Sequence, residues 1–356
     1  MEKRRVEREK EVFESYNFDI FENFYLNKEE KRWRVPDIPP QPPDLSGPAL
    51  PTKPQSREQA LRHLDSVFID DALKDDIVTR VAIPDLLDGN EPSYGGVILF
   101  GPPGTGKTVL LRAVVNVYRA LGAYANDISV SSINSAFVGE FARRLEGQIQ
   151  MGLGEAQRRK KPSFLSFDEG SILAQNAMEG ASSVSKHYQE AIDVMKRYIG
   201  NERSLVVGIS TNVLPESFED ALTREGRLTA IFIGYPDTEQ RQSMWKHFAN
   251  EYKIIDLTDE QTYRLAEATP TEQGAFIEEF CRNYTRARRA VVLRKRGYST
   301  LVDALKHNAN ITDEEVRRSI TFDNLYVDLA AALKTKYDRL KEARQENGSR
   351  IGFSSE

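Results

Sequence analysis

Gly101-Pro102-Pro103-Gly104-Thr105-Gly106-Lys107-Thr108 is the stretch on which the reading turns. It follows the apolar run Val97-Ile98-Leu99-Phe100 and precedes Val109-Leu110-Leu111-Arg112-Ala113-Val114-Val115. That succession predicts a buried strand, a glycine loop and a helix. Glycines let backbone N–H groups turn inward and approach a phosphate chain closely. The start of the following helix adds the positive end of its dipole at the same spot. Lys107 is placed to reach the outer phosphates, and the Thr108 hydroxyl to ligate Mg2+. Every position of the phosphate-loop pattern is filled, with Pro103, Gly104, Thr105, Gly106 and Val109 completing the cradle. The sequence therefore predicts a nucleoside triphosphate bound with magnesium.

Outward from this loop, strand-like runs (Val97–Phe100, Ile128–Ser131, Phe164–Phe167, Leu205–Ser210, Ala230–Gly234) alternate with helical stretches, including 108–121, 135–150 and 184–199. Short apolar strands separated by helices predict an α/β fold with a parallel sheet covered on both faces. After Pro236 the strands stop. Asp237 with Gln240, Thr258 with Gln261, Thr271, and Thr312 with Glu315 open successive helices, and a last one covers 323–345. The expected division is an α/β nucleotide-binding domain over 56–236, a helical lid domain over 237–345 and a disordered tail over 346–356. Ahead of these, residues 35–55 carry eight prolines and read as a linker. Ser56-Arg57-Glu58-Gln59 is a capping box that opens the globular body.

Residues 1–34 form an N-terminal arm, first rich in Glu, Lys and Arg, then aromatic through Phe13, Tyr16, Phe18, Phe21, Phe24, Tyr25 and Trp33. The rings either pack on the chain's own body or dock a partner.

Bulk properties exclude several classes. The 356 residues carry a net charge of −5, which gives no global attraction to nucleic acid. The single cysteine, Cys281, rules out a disulfide framework and a cysteine metal site, and points to a reducing, cytoplasmic setting. No apolar run is long enough for a membrane span, and Met1-Glu2-Lys3-Arg4-Arg5 does not open a signal peptide. His63, His187, His247 and His307 lack metal spacing and read as structural.

Three further groups bear chemistry. Phe164-Leu165-Ser166-Phe167-Asp168-Glu169 is an apolar strand ending in two carboxylates. It is expected beside the loop strand, with Asp168 holding magnesium through water and Glu169 taking the proton of an attacking water. Val206–Asn212 is a second buried strand, and the Asn212 amide at its end suits orientation of that water. In Ala221-Leu222-Thr223-Arg224-Glu225-Gly226-Arg227-Leu228, the two arginines either form surface ion pairs or stabilise charge on a transferred phosphoryl group from a neighbouring subunit.

From about residue 65 to 335 the chain resembles the AAA ATPase family. The resemblance rests on Gly101–Thr108 (Walker A), Asp168-Glu169 (Walker B), Ser210-Thr211-Asn212 (sensor 1) and Ala221–Leu228, which is similar to the segment supplying arginine fingers in trans. Gly234-Tyr235-Pro236-Asp237 with Arg241 resembles the exit into the lid, and Gly274-Ala275 the lid's nucleotide-facing turn. The resemblance implies a five-stranded parallel P-loop sheet in a three-layer domain plus an all-α lid. It also implies ATP as substrate and assembly into a homo-oligomeric ring, usually a hexamer, with the site between subunits. Arg224 and Arg227 would then come from the neighbouring copy.

Ala136-Phe137-Val138-Gly139-Glu140 is similar to the aromatic pore loop of protein-threading members, where an exposed ring grips extended peptide. The alternative is that Phe137 caps the chain's own core. The implied function is ATP-driven remodelling of a protein partner. A nucleotide-switched assembly factor on DNA or a scaffold, and a structural subunit without turnover, are the competing readings. Basic runs at Arg158-Arg159-Lys160-Lys161 and from Arg282 to Arg296 read first as solvated faces or inter-subunit contacts, with nucleic acid as the less favoured partner. The chain departs from the family at Val67–Ala72, where the usual adenine-contacting segment is missing, at Gly170-Ser171-Ile172, and at Leu228 in place of Phe.

Overall fold

A computed structural model describes residues 54–130, 140–173, 184–218, 220–224, 227–270, 272–307 and 309–350. The arm, nearly all of the proline-rich linker, the candidate pore loop Phe137-Val138-Gly139 and residues 351–356 lie outside them. The chain divides into two compact units, Met1–Gly234 and Tyr235–Glu356.

The first unit opens with short helices α1 (Arg57–Leu61), α2 (Asp71–Arg80) and α3 (Ile83–Asp88). The Ser56 capping box is formed: its hydroxyl accepts from the Gln59 N–H, and the Gln59 side chain returns to the Ser56 N–H. In the departing segment at 67–72, Asp70 caps α2 by accepting from the Leu73 N–H. Then β1 (Gly96–Phe100), α4 (Lys107–Ala120), β2 (Ala125–Ser129), α5 (Glu140–Arg159), β3 (Ser163–Asp168), α6 (Val184–Tyr198), β4 (Leu205–Thr211), α7 (Asp220–Thr223) and β5 (Leu228–Phe232) follow. All strand pairs are parallel, in the order β2-β3-β4-β1-β5.

Successive strand residues face opposite layers, as a two-residue period dictates. Val97, Leu99, Phe164, Val206 and Ile231 pack with α1–α4. Ile98, Leu165, Phe167, Val207 and Ile209 pack with α5 and α6. The three inner strands β1, β3 and β4 are buried on both faces, which explains why they read as mostly apolar runs.

Several sequence expectations shift. The second strand begins at Ala125 rather than Ile128 and ends at Ser129, because the polar pair Asn126-Asp127 joins the ladder opposite Leu165 and Ser166. The fifth begins at Leu228, within the two-arginine segment, and ends at Phe232. The helix expected over 135–150 runs to Arg159. The carboxylate-ended strand β3 does not lie beside the loop strand: β4 separates them, and β1 pairs with β4 and β5. Adjacency cannot be read from apolar runs alone, since every parallel crossover has the same local pattern.

The second unit is helical: α8 (Thr238–Glu251), α9 (Asp259–Ala268), α10 (Gly274–Lys295), α11 (Leu301–Lys306), α12 (Asp313–Arg318) and α13 (Phe322–Arg350). The capping boxes at Asp237, Thr258 and Thr312 are all made. The helix expected to follow Thr271 begins at Gly274, with Gln273 at its cap position and no side-chain cap. The final helix continues to Arg350, past the point where a tail was expected. Trp245 is fully buried against the Phe280 edge, and its indole N–H donates to the Thr269 hydroxyl at 3.3 Å. Arg241 is buried and donates to the carbonyls of Pro236 (2.6 Å) and Ala266 (3.1 Å), tying the unit's entry to α9.

Candidate active site

The phosphate loop sits at the carboxyl end of β1, the end of a parallel sheet where ligands bind. Gly101 has φ +143°, and a Cβ there would lie 2.2 Å from the Ile233 carbonyl oxygen. Gly106 caps α4 with φ +93° and offers no side chain to the helix's first N–H groups. The first turn of α4 carries no acid and holds the buried cation Lys107. Uncapped N–H donors, a dipole end and a lysine together suit an anion.

The Lys107 ammonium donates to the carbonyls of Gly101 (2.8 Å) and Pro102 (2.6 Å), and the Thr105 hydroxyl also donates to Pro102 (3.0 Å). Burial lowers the Lys107 pKa to about 8, with the Asp168 charge opposing the shift. Pro103, Gly104 and Val109 are exposed around the loop.

A Lys107 pKa depressed relative to the unfolded chain means the unfolded state binds more protons between about pH 8 and the ordinary lysine value, so Lys107 contributes a stability that rises with pH across that window. Nucleotide binding has the opposite sign, since phosphates need the charged amine. Affinity for a fluorescent nucleotide is expected to fall as pH rises through about 8 in the parent. It should lose that dependence in Lys107→Met, and titrations at pH 7, 8 and 9 decide it.

Asp168 is the hub of the polar groups. Its Oδ1 accepts from the Thr108 hydroxyl at 2.9 Å, the Ser210 hydroxyl at 2.5 Å and the Glu169 N–H at 3.1 Å. Thr108 and Asp168 thus converge from α4 and β3, although β4 lies between β1 and β3. A hydroxyl and a carboxylate are hard oxygen donors, and two protein ligands completed by phosphate and water is how Mg2+ is usually held. The donor set fits magnesium, and no cluster of three or more His, Cys, Asp or Glu competes among the described residues.

Glu169 is exposed and has φ +61°, a left-handed conformation rare outside glycine. Asn212 is exposed just beyond the end of β4. Ser210, in the same motif, is buried and bonds Asp168. Sequence reasoning gave the motif's role to the amide and assigned none to this hydroxyl. It also missed Arg112, whose Nε donates to Asp127 Oδ2 at 2.9 Å and whose Nη2 lies 3.9 Å from Asp168 Oδ2.

Arg224 and Arg227 are not brought to this site. Leu228 pairs with Gly96 at the amino end of the sheet, whereas the loop leaves β1 at the other end, about 15 Å away at ~3.3 Å per residue. The Arg227 side chain packs against Gly200. Gly274 and Ala275 open α10 in the second unit.

The basic runs are neutralised in part. Arg158 and Arg159 pair with Glu155, Arg282 with Glu278, Arg289 with Asp313 and Arg296 with Glu315. Such pairing reduces the positive charge that these runs offer to nucleic acid. No helix among the described residues is long and apolar enough to cross a membrane.

Known proteins resemble this chain in sequence. Residues 97–234 match the model of the ATPase family associated with various cellular activities (AAA). Vacuolar protein sorting-associated protein 4A of Homo sapiens is 27% identical over 240 residues, covering 67% of this chain and 52% of that protein. Spastin of Dictyostelium discoideum is 29% identical over 226 residues, covering 62% and 33%. ATPase family gene 2 protein homolog A of Homo sapiens is 31% identical over 195 residues, covering 53% and 21%. The chain spans about half the length of the sorting proteins it matches. With the parallel sheet, the phosphate loop and the Thr108–Asp168–Ser210 cluster in place, residues 97–234 form an AAA family domain.

Proposed function

We propose that this chain hydrolyses ATP as a subunit of a homo-oligomeric ring, a hexamer, and uses the cycle to remodel a protein partner in the cytoplasm. The observation that carries the reading is the meeting of Thr108 and Ser210 on one oxygen of Asp168, beside the uncapped start of α4. Pro103 to Val109 cradle the phosphates, and Lys107 exchanges its loop carbonyls for phosphate oxygens. Thr108 and Asp168 hold Mg2+, which neutralises phosphate charge when bound. Glu169 accepts the proton of the attacking water, and Asn212 orients that water. Gly274 and Ala275 of the lid approach the nucleotide.

Arg224 and Arg227 act on the site of the adjacent copy, a reading supported by their position at the far end of their own sheet. Phe137, Val138 and Gly139 form the pore loop that grips the threaded polypeptide. The test is phosphate release by the full chain in ATP and Mg2+, with and without an unstructured polypeptide such as casein. Hydrolysis stimulated by the polypeptide, with the stimulation lost in Phe137→Ala, is the expected result. Absence of hydrolysis overturns the enzymatic reading, and stimulation that survives Phe137→Ala overturns the threading.

A further inference from the structure

Asp127 lies two residues before the end of β2, opposite Ser166 in the ladder, while Ser129 stands opposite Asp168. Both oxygens of Asp127 are engaged. Oδ1 accepts from the Ser166 hydroxyl at 3.1 Å, and Oδ2 accepts from Arg112 Nε at 2.9 Å. Arg112 stands four residues after Thr108 on α4, so helical spacing puts both on one face, toward β3. Its Nη2 stops 3.9 Å from Asp168 Oδ2, within ion-pair range but beyond a hydrogen bond. Asp168 Oδ1 is meanwhile filled by Thr108, Ser210 and the Glu169 N–H, which leaves Oδ2 as the oxygen that Arg112 competes for.

We propose that Asp127 is a positioning residue for metal binding: it holds the Arg112 guanidinium off the Asp168 carboxylate and offsets its positive charge. Removal of the Asp127 charge has two consequences of the same sign. The uncompensated guanidinium repels a divalent cation, and its planar fork is released to close on Asp168 as a direct pair. Both weaken the metal. Removing Arg112 as well eliminates both effects, so the second substitution should undo the first. A merely structural Asp127 would make the double variant no better, because a second hydrogen-bonding partner would be lost. The proposal rests on Asp168 being a metal ligand.

The test uses the full chain saturated with ADP and counts bound Mn2+ by electron paramagnetic resonance, a readout independent of turnover. Asp127→Asn keeps the shape of the side chain and the Ser166 contact. It is expected to weaken Mn2+ binding by about tenfold, while the Asp127→Asn, Arg112→Gln double variant returns to within about threefold of the parent. Parental Mn2+ affinity in Asp127→Asn, or a double variant no tighter than the single, overturns the proposal. Asp168→Asn separates the two levels. If it binds Mn2+ as the parent does, the metal-ligand reading itself fails. If it loses Mn2+ while Asp127→Asn does not, only the positioning role falls.

Discussion

Glu169→Gln is expected to lower phosphate release by about 10²–10⁴-fold while nucleotide affinity stays within roughly threefold of the parent. The substituted amide keeps the size of the side chain and the backbone N–H that donates to Asp168 at 3.1 Å, so the cradle is undisturbed. It removes only the capacity to accept a proton. Glu169 also sits in a left-handed conformation that costs a non-glycine residue about 1–2 kcal/mol. The turn follows directly from the end of β3 and leaves Glu169 exposed at the edge where the phosphate loop lies. Glu169→Gly is therefore expected to give an inactive chain that is more stable than the parent by about 1 kcal/mol in urea denaturation. A Glu169→Gln chain that turns over ATP at the parental rate removes Glu169 from the chemistry.

How much of this was legible beforehand follows from how local each signal is. The phosphate loop, the strand end at Asp168 and the capping boxes at Ser56, Asp237, Thr258 and Thr312 are contiguous, and their chemistry is fixed by neighbours three or four residues away. The structure places them as read. Strand order is not contiguous information, and the expectation that β3 adjoins β1 failed for that reason. Ser210 and Asp127 contact their partners 42 and 39 residues away along the chain. Asn126 and Asp127 are unusual strand residues until their partners across the ladder are known, so the apolar run alone points to a strand starting at Ile128. The basic stretch of α10 and its end shows the same limit: Arg289 and Arg296 find their acids, Asp313 and Glu315, on α12, which no local pattern announces.

The second large effect concerns which copy of the chain completes the site. Arg224→Ala and Arg227→Ala are each expected to reduce hydrolysis by about 10³-fold or more, the usual contribution of an arginine acting on a transferred phosphoryl group. Both lie at the amino end of the sheet and the nucleotide cradle at the carboxyl end, so no rotamer carries either arginine to its own site. Their loss must then be felt by a neighbour. Lys107→Ala fails for the complementary reason, since it spoils the cradle and leaves the arginines intact. Mixing Lys107→Ala chains with Arg224→Ala chains places, at some interfaces, an intact cradle beside an intact arginine pair. With random assembly of equal amounts, about one interface in four is complete, and hydrolysis should recover to roughly a quarter of the parental rate. Arg224 is exposed, which makes it the cleaner partner for mixing; Arg227 also packs on Gly200, and its removal disturbs that contact. Recovery that disappears on dilution ties the activity to assembly. Mixtures that co-sediment yet stay inactive would show that the arginines do not act across the interface, and single arginine variants that hydrolyse at the parental rate would show that they do not act at all.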